Sequence, residues 1–357
     1  MQAHRRPPTV GRYAGEEIAL ATRNSGMPLE ALRYDLTPAG LHYLLIHFDI
    51  PPADADAWRL EIGGLVERPT ILSLAALRAL PARSVAVTLE CAGNGRGQMS
   101  PRYPSVPWLE EGVSTAEWTG VALADALRAA GLRPQASELV FHGADRGLDR
   151  GVEHDYARSL AIDEEMQRDV LLAYEMNGQP LLPQHGYPLR LIVPGWYGMA
   201  SVKWLAHIEA VDQPFDGFQQ AVSYHFKQQA GEKGVPCSRM RVNSLLIPPG
   251  IPDFYSRRRF LGAGRVTLTG RAWSGGGTPV ARVEFAVDGA WRDARIEAAR
   301  GRFAWWRWSI EWDAAPGDHA LACRATDAAG NSQPDEPEWD ASGFGNNAIQ
   351  RMGVTVC

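Results

Sequence analysis

Four short runs that alternate apolar and polar residues occupy the last third of the chain, and they restrict the fold more than any other feature. The runs are RVTLTGRAW (265–273), ARVEFAVDG (281–289), FAWWRWSIEW (303–312) and HALACRATD (319–327). Turns containing Gly, Pro, Asp and Asn separate them. Strands of this length without intervening helices are typical of an antiparallel, immunoglobulin-like β-sandwich. We therefore predict a β-sandwich domain over residues 236–357.

Residues 1–235 show a mixed pattern instead. Apolar residues recur at helical spacing in 73–80 and 120–132, whereas 138–144 and 188–195 have the composition of strands. The proline-rich stretch VPCSRMRVNSLLIPPGIPDF, where the pattern changes, has little periodicity and suits a linker. A chain of 357 residues is expected to hold roughly two domains. The sequence thus predicts an α+β protein with a mixed first domain and a β-sandwich second domain.

Composition and charge exclude several classes of protein. The net charge of −5, with both signs mixed along the chain, is not that of a nucleic-acid-binding protein. No apolar stretch is long enough to span a membrane. Arg5 and Arg6 near the N-terminus are not followed by an apolar segment, so no secretory signal is expected. We expect a cytoplasmic protein from the chain as written, and a periplasmic one if a leader was trimmed.

Cys91 ends a run that has the pattern of a buried strand and begins the glycine-rich turn CAGNGRG. The small residues of this turn expose backbone amides and let a ligand approach closely. Arg96, five residues on, would favour the thiolate over the thiol. A nucleophile, a redox thiol and a single metal ligand all fit these residues, although no protease signature and no resolving cysteine accompany them. A metal at one cysteine would need a cofactor to supply most of its other ligands.

A second group of polar residues lies in LLPQHGYPLRLIVPGWYGMASVKWL, residues 181–205. It contains His185, Arg190, Ser201 and Lys203, together with two glycine-containing turns. Such a set suits an anion that carries a phosphate and hydrogen-bonding ring edges.

Three sequence blocks together resemble the sulfite oxidase family of molybdenum enzymes, in its haem-free bacterial form. They are ECAGNGRG, HGYPLRLIVPGWYGMASVKWL and GRAWSGGGTPVARVEFAVDG, and the resemblance runs from about residue 36 almost to the C-terminus. It implies a molybdopterin-binding catalytic domain over 1–235 and a dimerisation domain over 236–357, hence a homodimer. It also implies molybdenum held by molybdopterin, without haem, and Cys91 as the metal's single protein ligand.

The resemblance assigns further residues to the pterin and to the substrate. Those expected around the pterin are Tyr43, His47, Asp145, His185, Arg190, Ser201 and Lys203. Arg96 and Trp108 match positions that bind and enclose the substrate oxyanion.

The chain departs from the family at three substrate positions. Leu45 and Ser342 stand where well-known members carry arginines, and Phe226 stands where they carry a tyrosine. We expect Tyr224 to replace that tyrosine, orienting substrate or relaying a proton. His225 and Lys227 are candidates for the missing positive charge, with His225 assigned to the substrate pocket.

The implied activity is oxidation of sulfite to sulfate, with electrons passed to an external acceptor such as a cytochrome c. A related enzyme acting on sulfane sulfur or a sulfoxide is an alternative that the absent arginines favour. A non-catalytic module with a degenerate first domain is a second alternative, and the intact segments around Cys91 and Lys203 count against it.

Overall fold

The computed structural model describes residues 13–163, 168–229 and 231–357, so Arg5 and Arg6 of the predicted N-terminal segment lie outside the described residues. The first two thirds contain, among the described residues, the α-helices α1 (Gly15–Arg23), α2 (Leu74–Arg78) and α3 (Leu123–Leu127). The strands there are β1 (Arg59–Gly64), β2 (Thr70–Ser73), β3 (Ala82–Glu90), β4 (Val113–Ala122), β5 (Glu138–Asp149), β6 (Val152–Ala161), β7 (Leu171–Met176), β8 (Gln179–Pro180), β9 (Arg190–Ile192), β10 (Leu205–Val211), β11 (His225–Phe226) and β12 (Val235–Pro236).

Two five-stranded sheets build this region. One has the order β2-β1-β10-β5-β6, with β1 and β10 parallel and the other pairs antiparallel. The other has the order β3-β4-β7-β8, and β9 pairs with β7. The last five residues of β3 are all buried, including the polar Thr88 and Glu90, so both faces of this end of the strand are covered. Cys91 follows directly, at the end of a rigid strand.

The last third of the chain forms two packed sheets. Its strands are β13 (Asn243–Leu246), β14 (Ile251–Pro252), β15 (Arg259–Leu261), β16 (Gly264–Trp273), β17 (Val280–Val287), β18 (Ala290–Asp293), β19 (Arg295–Glu297), β20 (Trp306–Ala314), β21 (Gly317–Asp327) and β22 (Gln350–Val356). One sheet has the order β13-β16-β20-β19, and the other β14-β15-β22-β21-β17-β18. Phe285 and Trp308, both fully buried, meet between them with ring centroids 6.2 Å apart.

The predicted α+β class and β-sandwich are confirmed, and the four alternating runs correspond to β16, β17, β20 and β21. The helical pattern of 73–80 and 120–132 yields only the short helices α2 and α3, because Gly120–Ala122 still pair with β7. The linker interpretation is wrong for β13, which is buried along its whole length and pairs with β16. Burial on both faces removes the alternation by which a strand is recognised. The boundary between residues 235 and 236 stays a prediction.

Among the described residues, no helix has the length and apolar character needed to cross a membrane.

Candidate cofactor and substrate site

A cavity with about 640 Å³ of empty space opens beside the end of β3. Residues from distant parts of the chain line it, and they include all eight that the sequence predicted for the pterin and metal: Tyr43, His47, Cys91, Asp145, His185, Arg190, Ser201 and Lys203. His42 and Tyr156 line it as well, and sequence reasoning missed both. We call this space the inner cavity.

The turn that follows Cys91 is shaped by contacts within the protein. Gly95 has a φ of 76°, which favours glycine. A Cβ atom on Gly93 would lie 2.4 Å from Nη2 of Arg96, and one on Gly97 would lie 2.9 Å from the carbonyl oxygen of Trp108. The sequence assigned these small residues to close approach of a ligand. The structure shows that they also make room for Arg96 and for the backbone at Trp108.

Cys91 is buried, and this burial outweighs the effect of the neighbouring cation. The pKa of the Cys91 thiol is raised by desolvation, while Arg96 and a backbone hydrogen bond at Gly93 act in the opposite direction. Arg96 does lower the pKa of Cys91, but burial raises it by more. The expectation that the free thiol is more acidic than usual is therefore wrong. A metal that binds at Cys91 has to displace the thiol proton.

Positive groups converge on one wall of the inner cavity. Arg190 donates from Nη1 to the carbonyl oxygen of His185 (3.0 Å) and from Nη2 to that of Ser201 (3.2 Å). Lys203 donates from Nζ to the carbonyl oxygen of Leu45 at 2.7 Å. Burial lowers the pKa of Lys203 to about 7 and that of His185 to about 4. An anionic group bound at this wall would raise the pKa of Lys203 again and keep its ammonium group protonated, so the wall favours an anion.

Gly186 allows these groups to come together. Its φ of 103° is one that glycine adopts readily. A Cβ atom there would lie 3.1 Å from the Cβ atoms of both Arg190 and Lys203. The glycine after His185 thus lets the two cationic residues pack against the same turn.

Asp145 reaches the inner cavity through an irregularity in β5. The pairing of β5 with β6 shifts register between His142 and Arg146, and such bulges redirect side chains near functional sites. Burial raises the pKa of Asp145 to about 7, and Lys203 acts against this rise.

Several buried polar atoms of the cavity lining have no partner within the described part of the chain. They are Oδ1 of Asp145, Nε2 of His42 and Nε of Arg190. Buried polar groups in native proteins are normally hydrogen-bonded, so these atoms are suited to a bound ligand. A pterin with ring donors, ring acceptors and a phosphate supplies such partners. The residues present therefore fit a molybdopterin.

A metal at this site would need ligands beyond the protein's own. The described ranges contain no group of three or more His, Cys, Asp or Glu residues that could hold a metal ion. Cys91 would then be one ligand among several, with the rest supplied by a bound cofactor.

His47 and Tyr224 are joined by a hydrogen bond of 2.5 Å between Nε2 and the hydroxyl oxygen. Burial lowers the pKa of His47 to about 3 and raises the pKa of Tyr224 far above its usual value. Both groups are consequently neutral near pH 7, and which of the two donates is set by the imidazole nitrogen that carries the proton. His47 also stacks on Tyr156, with ring centroids 4.7 Å apart.

A second, larger cavity with about 1260 Å³ of empty space meets the inner one at Leu45, His47, Cys91 and Tyr224. We call it the outer cavity. Arg96 and Trp108 line it, as predicted for the substrate pocket, and so do Leu45 and Ser342, where the family carries arginines. It extends to exposed residues such as Leu148, so it leads from Cys91 to solvent.

His225 and Lys227 are not among the residues that line either cavity. Neighbouring residues of an extended chain point to opposite sides, and Tyr224 takes the side of the cavities. His225 lies in β11, paired with β12, and its Nδ1 is buried without a described partner. Lys227 directs Nζ to the carbonyl oxygen of Val222. The structure thus brings neither of these two residues to the predicted substrate pocket.

Arg96 is a buried cation held by backbone carbonyl groups. Nε donates to the carbonyl oxygen of Gly343 at 3.3 Å, and Nη1 lies 3.5 Å from that of Val106. Its guanidinium also lies over the Phe344 ring, 5.1 Å from the centroid. Within the described part of the chain, no carboxylate forms an ion pair with it. The cation is therefore available to an anion in the outer cavity.

Glu90, directly before Cys91, connects the two halves of the chain. Oε1 accepts hydrogen bonds from Nδ2 of Asn94 and Nδ2 of Asn243, both at 3.1 Å. Oε2 accepts from Nε1 of Trp273 at 2.9 Å. Asn243 and Trp273 belong to the sandwich strands β13 and β16, so the sandwich helps to fix the end of β3. Glu90 was not singled out from the sequence.

Replacing Glu90 with glutamine is expected to destabilise the fold by an amount that depends on pH. Burial raises the pKa of Glu90 from 4.5 to about 7. The stabilising contribution of the protonated acid is therefore complete below pH 4.5 and is lost as the pH rises to about 7. The wild type's advantage in free energy of unfolding should shrink by about 3 kcal/mol over this range. Urea unfolding of both proteins at several pH values tests this, and an advantage that grows with pH would contradict it.

Two family models match the chain. The oxidoreductase molybdopterin binding domain matches residues 47–219, and the Mo-co oxidoreductase dimerisation domain matches residues 236–357.

Curated relatives include plant nitrate reductases that use NADH. The protein from Lotus japonicus is 33% identical over 371 residues, which cover 94% of this chain and 41% of the relative. The protein from Hordeum vulgare is 32% identical over 392 residues, which cover 99% of this chain and 42% of the relative. This chain spans about two fifths of the length of these relatives.

Among solved structures, the sulfane dehydrogenase SoxCD from Paracoccus pantotrophus superimposes with a TM-score of 0.80 at 26% sequence identity. The match covers 99% of this chain and 87% of that one. The similarity therefore extends through both the mixed region and the β-sandwich.

Proposed function

This chain belongs to the sulfite oxidase family of molybdopterin-dependent oxidoreductases, and from that premise we propose that it oxidises sulfite to sulfate. The observation that carries the proposal is Arg96, a buried cation without an ion-pair partner in the described chain, in a cavity that begins at Cys91. Electrons would pass to an external acceptor such as a cytochrome c. The match to a dimerisation domain supports a homodimer.

The residues of the inner cavity would hold the cofactor. Cys91 would bind the metal, since a soft thiolate suits molybdenum. Arg190, His185 and Lys203 would pair with the anionic part of the pterin, and Asp145 would accept hydrogen bonds from its ring. When bound, molybdenum with molybdopterin supplies the two-electron redox chemistry.

The residues of the outer cavity would bind and orient the substrate. Arg96 would pair with the sulfite oxygens and direct the sulfur atom towards the metal. The Tyr224 hydroxyl keeps its proton, and in the tautomer in which Nε2 of His47 donates to it, that proton can be donated to an oxygen of substrate or product. The buried indole of Trp108 would help to exclude water from this end.

A different substrate is the second candidate, and two observations favour it. Leu45 and Ser342 line the outer cavity, so it lacks two cations that well-known family members have. The structural relative SoxCD is described as a sulfane dehydrogenase, and the curated relatives as nitrate reductases. A sulfane sulfur, a sulfoxide or nitrate would each need less positive charge than a sulfite dianion.

The decisive test is sulfite-dependent reduction of ferricyanide by purified protein whose molybdenum content has been measured. We expect turnover that saturates with sulfite. The same preparation is assayed for nitrate and sulfoxide reduction with reduced viologen, and for thiosulfate oxidation. Full metal content with no sulfite turnover, together with activity in one of these parallel assays, would replace sulfite by that substrate.

A further inference from the structure

The inner end of the outer cavity carries one net positive charge. Arg96 is its buried cation. His47 is neutral, because burial lowers its pKa to about 3. Arg150, at the outer end, is already paired with Asp149, with Nε 3.2 Å from Oδ1. The end of the cavity next to Cys91 therefore balances a monoanion better than a dianion.

A carboxylate behind the cavity wall weakens the positive charge further. Asp340 accepts hydrogen bonds from the backbone N–H groups of Lys227, Ser342 and Phe344 at 2.6, 2.8 and 3.1 Å. It does not line the cavity, but it acts electrostatically on Arg96. Among the described residues that line the outer cavity, Arg96 is the only cation outside an ion pair, so a second negative charge on a substrate would have no such cation to match it.

Part of the outer-cavity wall is apolar, although polar residues such as Arg96, Tyr224 and Ser342 line it as well. The apolar side chains of this part are Leu45, Ile46, Phe48, Val106, Trp108 and Phe344. All except Leu45 and Phe48 are buried, with exposures of 9% or less. The cavity volume of about 420 Å³ is larger than a sulfite ion needs. Such a wall favours a substrate with an apolar body beside its charged sulfur group.

We propose that the site also accepts organic sulfinates, R–SO2⁻, and oxidises them to sulfonates, with R an apolar alkyl or aryl group on the wall formed by Leu45, Val106 and Phe344. A sulfinate has the single negative charge that Arg96 can balance, and its sulfur atom keeps a lone pair, as in sulfite. This inference rests on the proposed function, because it assigns a second substrate class to the same site.

The reaction balances as R–SO2⁻ + H2O → R–SO3⁻ + 2 H⁺ + 2 e⁻. One sulfur–oxygen bond forms and its oxygen comes from water, while the carbon–sulfur bond stays intact. The protons go to solvent. The two electrons reduce two molecules of a one-electron acceptor such as ferricyanide.

The test compares sulfite, methanesulfinate and benzenesulfinate as substrates for the full-length, metal-loaded protein with ferricyanide. We expect kcat/KM for benzenesulfinate to exceed that for methanesulfinate by about 10- to 100-fold, because the ring is buried on the apolar wall. In water enriched in ¹⁸O, mass spectrometry should find one labelled oxygen in the benzenesulfonate product.

Three variants that each add one arginine test the selectivity. Leu45→Arg should raise kcat/KM for sulfite and lower it for benzenesulfinate, each by about tenfold, since it adds a cation and removes apolar surface. Ser342→Arg adds a cation at a second position of the cavity lining and tests the same point if Leu45→Arg fails to load metal. Ile71→Arg makes the same change of charge at an exposed position in β2 and should alter neither substrate by more than about twofold.

The outcomes separate the two proposals. Sulfite turnover without sulfinate turnover overturns the sulfinate inference and leaves sulfite oxidation standing. Sulfinate turnover without sulfite turnover supports the inference and overturns sulfite as the substrate. A loaded enzyme that oxidises neither overturns both. Benzenesulfinate oxidation no faster than that of methanesulfinate would refute the role of the apolar wall.

Discussion

Replacing Cys91 with serine is expected to lower sulfite-dependent electron transfer by more than about a hundredfold, since even residues that only support a metal ligand are worth about 10- to 100-fold. Serine keeps nearly the same shape at the end of β3. Its hydroxyl is a hard and weakly acidic group, and it replaces the soft thiolate that molybdenum favours. The loss should therefore arise at the metal and not from the fold.

Cofactor content distinguishes this explanation from simple loss of folding. Arg190, Lys203 and Asp145 would still hold the pterin, so oxidised pterin released from Cys91→Ser should stay within about twofold of wild type. Cys357→Ser is the matched control, because Cys357 is the exposed cysteine and should tolerate the change. Undiminished turnover in Cys91→Ser, at equal molybdenum content, would remove Cys91 from the metal site.

The predicted pterin residues come from several separate segments that line one cavity, and the resemblance to the sulfite oxidase family assigned them segment by segment. His185, Arg190 and Lys203 come from a single segment, and Gly186 folds that segment on itself. His42 was missed although it is only five residues from His47, because nothing in LHYLLIH distinguishes the two imidazoles. Only the unpartnered Nε2 in the folded chain draws attention to His42.

Contacts between distant residues could not be predicted. Arg96 bonds to Gly343, 247 positions away, and Glu90 bonds to Trp273, 183 positions away. The sequence therefore placed Arg96 beside Cys91 but did not predict that burial would keep that thiol protonated. The assignment of His225 to the substrate pocket failed for a related reason. It depended on whether Tyr224 or His225 faces the cavity, and Tyr224 does.

Fold prediction succeeded where one face of a strand is exposed and failed where both are covered. Strand β21 alternates between buried and less buried residues from Leu321 to Asp327, so its sequence pattern is visible. Strand β13 is buried throughout and lies in a proline-rich stretch, and it was therefore interpreted as a linker. That strand brings Asn243 to Glu90, so the failure bears on the site as well as on the fold.

Replacing Arg96 with methionine is expected to lower kcat/KM for sulfite by about 100- to 1000-fold, which is typical when one pre-positioned charged donor is lost from an active site. Methionine retains much of the buried volume, so the packing against Phe344 should largely persist. Arg96 is the buried arginine of the outer cavity, and Leu45 and Ser342 offer no charge to replace it. Molybdenum content should stay near that of wild type, because Arg96 does not line the inner cavity.

Two further variants show whether charge or packing is responsible for the effect of Arg96. Arg96→Lys retains the charge but not the paired N–H donors, so it should recover part of the activity. Arg265→Met makes the same substitution at an exposed position in β16 and should leave kcat/KM within about twofold of wild type. If Arg96→Met, fully loaded with metal, oxidised sulfite as well as wild type, the buried cation would not be the substrate anchor. The substrate assignment, for sulfite and for sulfinates alike, would then lose its main support.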